Sequence, residues 1–125
     1  MKSNPRGKYG EDFAAETLKT LGYVILERNY SSRYGEIDIV ATREDTICFV
    51  EVKARRRDAQ VSGSAAVTRQ KQKRIIATAL MYLQRNPSGL QPRFDVFSIV
   101  TRDDRQAESY DFLTGAFDSA AYYNR

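Results

Sequence analysis

EIDIVAT (residues 36–42), the Glu44–Asp45 turn and TICFVEVKA (residues 46–54) decide how this chain folds. In the first segment Ile37, Ile39 and Ala41 alternate with Asp38 and Val40, the period of a strand with two distinct faces. The second is β-branched and aromatic enough to lie at the centre of a sheet. Its Cys48, Val50 and Val52 leave one face, and Glu51 and Lys53 leave the other. If these two strands form a hairpin, Asp38 comes beside Glu51. Glu51 and Lys53 are about 7 Å apart along the strand. Charged groups projecting from a central strand are costly unless they pair or bind something.

Outward from the hairpin, YVILERNY (residues 23–30) reads as a strand and SSRYG (residues 31–35) as a turn. Upstream, Ala14, Leu18 and Leu21 recur at helical spacing and predict a helix over about residues 8–21, stopped by Gly22. Glu11 falls on the apolar face of that helix, an unusual place for a carboxylate. Residues 1–7 read as a loose basic arm. Downstream comes a basic loop from Arg55 to Ser64, then a helix over about residues 66–84 with Ile76, Ala79, Leu80 and Leu83 as its stripe. RFDVFSIVT (residues 93–101) is apolar on both faces, as a buried strand is, and residues 107–113 predict an edge strand within a C-terminal segment, residues 101–125, that ends in a tail. The order α-β-β-β-α-β predicts a single α/β domain over residues 1–125, a mixed sheet flanked by helices.

The chain has no histidine, which excludes serine–histidine triads, cysteine–histidine dyads, histidine-bound zinc and histidine general bases. Catalysis must rest on carboxylates, lysines, tyrosines, hydroxyls or metal-bound water. A lone cysteine, Cys48, permits no internal disulfide; with no secretion signal visible, a cytoplasmic protein is expected. No stretch is apolar enough to span a membrane. The net charge is +4, distributed as +6 over residues 1–100 and −2 over residues 101–125. A basic body with an acidic tail suits a polyanionic partner, DNA first, although a solubilising surface gives the same sum.

Three carboxylates (Glu11, Asp38 and Glu51) and Lys53, with no imidazole or thiolate, favour Mg²⁺ or Mn²⁺ over zinc. Two carboxylates on such an ion beside a lysine suit phosphodiester hydrolysis. An E-x-K triplet alone is weak; Asp38 followed after twelve residues by Glu51-x-Lys53, with Glu11 upstream, is more specific. The competing reading is a buried Glu51–Lys53 ion pair with Asp38 at a turn. Glu36 shares the Asp38 face and is a weaker candidate ligand. Arg55, Arg56 and Arg57 follow the site strand, and Arg69, Lys71, Lys73 and Arg74 open the second helix. Both clusters are placed to flank one groove and grip phosphates. The alternative is two solvated basic faces. Tyr30 and Tyr34 either stack on unpaired bases or pack over the sheet edge.

GEDFAAETLKTLGY, ERNY, GEIDIVA, FVEVKAR, TRQKQKRIIATALMYL and RFDVFSIV, in that order over about residues 7–100, resemble the YraN-like family of small bacterial proteins. That family is similar to archaeal Holliday-junction resolvases and the restriction-endonuclease-like superfamily. The resemblance implies a restriction-endonuclease-like core with a metal site on its central hairpin. It places the helix acid on Glu11, the motif aspartate on Asp38 and the E-x-K pair on Glu51 and Lys53. Related nucleases carry a Gln or Lys on the following helix, where Lys71 is favoured over Gln70 and Gln72. The combined expectation is a Mg²⁺-dependent endonuclease acting on DNA, possible branched DNA included. Asp38, Glu51 and the Val52 carbonyl would hold the metal, Glu11 would support the metal or its water, and Lys53 would orient the nucleophile. Junction cutting would further imply a homodimer. A nucleic-acid-binding module without hydrolysis and a protein-interaction factor on the same fold are the rival readings.

Overall fold

The hairpin over residues 36–54 forms the middle of a five-stranded sheet. The computed structural model describes residues 5–57, 67–103 and 106–120. In chain order these form α1 (Pro5–Thr20), β1 (Val24–Ser31), β2 (Glu36–Arg43), β3 (Thr46–Arg56), α2 (Arg69–Arg85), β4 (Gln91–Asp103) and β5 (Gln106–Phe117). The strands lie side by side in sequence order. Only β3 and β4 run parallel; the other neighbours are antiparallel. A parallel pair needs a crossover, and α2 is that crossover. The result is the expected mixed α/β sheet flanked by helices, with one helix on each face.

Two apolar clusters follow from this layering. Phe49, Ile47, Val40 and Ile37 pack with Ile75, Ile76, Ala79 and Tyr82 of α2 and with Phe94 and Val96. Cys48, Val50, Ile39 and Ala41 pack with Ala14, Ala15 and Leu18 of α1 and with Phe97 and Ile99. β4 is thus apolar on both faces, as its sequence predicts. Gly10 lets α1 lie close on the sheet, since a Cβ there would stand 3.1 Å from the Ala54 Cβ. Among the described residues, no helix is long and apolar enough to cross a membrane.

Several boundaries differ from those expected. Residues 5–7 of the predicted loose arm belong to α1, which starts at Pro5, a residue suited to a first helical turn; residues 1–4 lie outside the described residues. Arg55 and Arg56 are not loop residues, because the parallel ladder with β4 carries β3 on to the Arg56–Thr101 pairing. The rest of the predicted loop from residue 58, and the predicted helix start at Ala66, fall outside the described residues. α2 is capped by Thr68, whose side chain accepts from the Lys71 N–H. Leu21 and Leu80 are exposed rather than core: α1 ends at Thr20, and the buried face of α2 runs through Ile75, Ile76, Thr78, Ala79 and Tyr82. The predicted edge strand is real and longer, reaching Phe117, and the tail residues 121–125 lie outside the description.

One alternation also breaks. Ile37 packs with Val40 on the α2 side, not with Ile39 and Ala41 on the α1 side. The β2–β3 ladder runs from Arg43–Thr46 to Ile39–Val50 and stops there. Opposite this point on β1, Asn29 is left-handed at φ 55°. Released from β3, β2 turns about Asp38 and delivers Ile37 to the other core.

Asp95, within the otherwise apolar β4, is fully buried. Its carboxylate accepts from Arg93 Nε (2.9 Å) and Nη2 (3.0 Å) and from the Gly115 N–H (2.9 Å). Gly115 has φ 62°, so the turn of β5 that presents this N–H suits a residue without a Cβ. Arg93 Nη2 also donates to the Tyr23 hydroxyl at 2.7 Å. The network ties the edge strand and the end of α1 to the central pair. Cys48 lies in the same layer, and burial, then the nearby Asp95 charge, push its thiol up to about 12. Removing Asp95 would leave Arg93 without its counter-charge. Asp95→Ala is expected to cost about 3–5 kcal/mol, the loss typical of breaking a buried ion pair. Urea denaturation at neutral pH checks this, and a loss below about 1 kcal/mol, the scale of an exposed pair, refutes it.

Candidate functional site

The end of the β2–β3 ladder creates the site. Past Ile39–Val50 no main-chain carbonyl of β2 pairs with the next N–H of β3. The Asp38 carboxylate takes that place, its Oδ2 accepting from the Val52 N–H at 2.8 Å. In an extended strand a residue's N–H and C=O leave on the same edge. The Val52 carbonyl therefore faces the Asp38 side of β3. Asp38 is buried, and Glu51, also buried, is close enough for the two carboxyl groups to share a hydrogen bond.

Glu51 follows Phe49 on the α2 face. Its Oε2 lies 2.7 Å from Lys71 Nζ. Of the three polar residues weighed at the start of the helix, Lys71 is the one that reaches inward. Gln72 instead donates to the Val67 carbonyl at 2.9 Å, and Gln70 is exposed. Burial raises the Glu51 pKa above its ordinary 4.5, and the Asp38 charge raises it further, with Lys71 opposing both. Two abutting carboxylates with their partial desolvation are poised for a cation, a proton or both.

Lys53 leaves the same face two residues beyond Glu51 and is partly exposed. The proposed Glu51–Lys53 ion pair is replaced by Glu51–Lys71. Glu11 is buried on α1, with Oε1 4.0 Å from Arg28 Nη2, while Arg28 makes its shorter bond, 2.7 Å, to Asp12. The structure thus brings together Asp38, Glu51 and Lys71, and leaves Glu11 beside Arg28. Among the described residues no three carboxylate, cysteine or histidine side chains converge as a metal site. Glu36 is bonded by the Ser31 hydroxyl at 3.4 Å.

The basic residues divide. By strand alternation Arg55 continues the Glu51–Lys53 face, and Arg56 leaves the opposite one. Arg57 turns toward β5, with Nη1 2.8 Å from Glu108 Oε2. Lys53 and Arg55 therefore share the face of β3 that carries Glu51, and Arg56 and Arg57 do not. On α2, Arg69, Lys71 and Arg74 are exposed and Lys73 is half-buried.

The sequence profile of the uncharacterised protein family UPF0102 matches residues 10–99, from the glycine beneath α1 to the core of β4. The chain belongs to the UPF0102 family. This is the YraN family that its motifs resemble. A UPF0102 protein of Myxococcus xanthus is 40% identical over 114 residues, covering 90% of this chain and 89% of that one. A UPF0102 protein of Dictyoglomus thermophilum is 38% identical over 118 residues, covering 94% of this chain and all of that one. A third, from Sulfurihydrogenibium, is 41% identical over 100 residues, 79% of this chain and 87% of its own. The UPF0102 match includes all of Glu11, Asp38, Glu51, Lys53 and Lys71, and excludes β5.

The raised Glu51 pKa has a definite sign. The folded protein holds that proton more tightly than the unfolded chain, so the contribution to stability is complete below pH 4.5. It is lost as pH rises through the raised folded value. Glu51→Gln keeps the shape of the protonated form and is expected to flatten that decline. Urea midpoints of wild type and Glu51→Gln between about pH 4 and 8, without divalent ions, check this; parallel pH slopes refute it.

Proposed function

We propose that this protein is a metal-dependent nuclease that hydrolyses DNA phosphodiester bonds. The observation that carries the reading is the buried Asp38–Glu51 pair at the edge of β3 that β2 has released. These oxygens are hard donors, suited to Mg²⁺ or Mn²⁺. Asp38, Glu51 and the Val52 carbonyl would hold the ion. Such an ion, when bound, polarises a phosphate and lowers the pKa of a coordinated water. Glu11, buried where α1 crosses β3, would act on that water rather than on the ion. Lys53 would orient the attacking water and offset charge on the phosphate. Lys71, already on Glu51, would neutralise the carboxylate and position it. Lys53 and Arg55, with Arg69, Lys73 and Arg74, would hold the phosphate backbone in a salt-dependent manner; Arg56 and Arg57, which turn away, would contact DNA only outside this groove. If branched DNA is the substrate, paired cuts call for a homodimer.

One observation favours a second reading. Glu51 is neutralised by Lys71, and among the described residues no third carboxylate joins the pair. That arrangement also suits a DNA-binding module without hydrolysis.

Cleavage of labelled duplex, single-stranded, flap and four-way-junction DNA in Mg²⁺ or Mn²⁺ separates them. Wild type is expected to cut at least one substrate, and Lys53→Ala to lose about 10²-fold or more of the rate. Asp38→Asn is expected to weaken Mn²⁺ binding in calorimetry while leaving DNA affinity in place. Tight DNA binding with no cleavage in either metal, and no Mn²⁺ binding, establishes the non-hydrolytic module.

A further inference from the structure

The β1–β2 turn is built into the same surface as the carboxylate pair. Its backbone closes on itself, the Ser32 N–H donating to Gly35 O (2.8 Å) and the Gly35 N–H to Ser32 O (3.3 Å). It is then fastened to α2. Thr78 spends its hydroxyl proton on the Arg74 carbonyl at 2.9 Å. In the 2.8 Å contact between Ser32 Oγ and Thr78 Oγ1, Ser32 must therefore be the donor. The Ser32 oxygen in turn accepts from the Tyr34 N–H at 3.0 Å. Gly35 sits against the helix: a Cβ there would stand 3.2 Å from the Arg74 Cβ. The turn cannot swing without breaking the hydroxyl chain to Thr78, which is fully buried.

What this fastening presents is Arg33 and Tyr34. Tyr34 is 43% exposed, whereas Tyr30 packs edge-on against Tyr82 at 5.0 Å between ring centroids. The Arg33 guanidinium lies 5.1 Å from the Tyr34 ring centroid and donates to its hydroxyl at 3.0 Å. A large aromatic on a fixed turn, supported by an arginine, loses little freedom when a flat group stacks on it.

Placement along α2 supplies the partner's chemistry. Lys71, Arg74 and Thr78 are spaced three and four apart, hence on one face of the helix. Lys71 touches Glu51, Arg74 touches Gly35 and Thr78 touches Ser32. Lys71, which reaches the carboxylate pair, and Thr78, which holds the turn, are thus about 10 Å apart along the helix, with the cationic Arg74 between them. That is the reach of neighbouring nucleotides in one strand. In an intact duplex the base faces are covered by stacking, and only the backbone meets such a surface.

We propose that the Arg33–Tyr34 tip is a stacking platform for an unpaired base, so that the DNA this site takes has a single-stranded segment next to the phosphate at the carboxylate pair. The inference rests on the DNA reading above and names its substrate class. Tyr34 contributes ring surface, and Arg33 holds the ring and meets the flanking phosphate. Tyr34 acts in binding, not in the chemical step.

Fluorescence anisotropy in Ca²⁺ tests this apart from cleavage, using a labelled duplex and the same duplex with a short single-stranded gap. Wild type is expected to prefer the gapped DNA. Tyr34→Ala is expected to lose about ten-fold or more on the gapped DNA and far less on the duplex, with Tyr34→Phe retaining most of the preference. That pattern supports the platform even if no substrate is ever cut. Equal losses on both DNAs, or none, overturn it while leaving DNA binding intact, and assign the tip to a protein partner or to packing. Absence of binding to either DNA at low salt overturns the DNA reading and this inference together.

Discussion

Strand β3 is covered on both faces and paired on both edges until Val50, where β2 stops pairing with it. An exposed N–H at that depth must find an acceptor, and Asp38 supplies one from its side chain. The rest of the site depends on this substitution of a carboxylate for a carbonyl. It brings a buried charge beside Glu51, frees one edge of the central strand and rotates Ile37 into the opposite core. A main-chain carbonyl at the same place would have continued the ladder and left no carboxylate beside Glu51.

The local electrostatics follow from the same geometry. Burial, and then the adjacent Asp38 charge, raise the cost of ionising Glu51. Lys71 answers from the crossover helix, and its reach is set by the Thr68 cap, which fixes where α2 begins. The helix that joins the parallel strands is therefore also the element that balances the site. In this fold connection and chemistry cannot be altered independently: a register shift of α2 would move Lys71 off Glu51 and Thr78 off the β1–β2 turn together.

Much of this was legible in the residues. Alternation in EIDIVAT and the β-branched TICFVEVKA establish the hairpin, and the facing of Glu51 and Lys53 follows from period two alone. Lys71 is inferable from helical spacing to Ile75. Three features were not legible, for physical reasons. Arg55 and Arg56 read as loop because their own composition is polar, while their conformation is imposed by β4. The switch of Ile37 needs the end of a ladder, which no periodicity encodes. Asp95 sits in a strand whose neighbours are apolar on both sides; only RFD, an arginine and an aspartate two apart and so on one face, hinted at a paired buried charge. The apolar-face position of Glu11 announces a buried acid, but its facing on α1 carries it toward Arg28, a partner contributed by β1.

Cys48 has a consequence of a different kind. Its thiol is buried and pushed up to about 12, so at neutral pH only about one molecule in 10⁵ carries the reactive thiolate. With no second cysteine in the chain, oxidants have no internal disulfide to form. For the same reason the molecule is chemically blank to thiol reagents, and a cysteine introduced at the Tyr34 tip or along α2 would be the one place they report from.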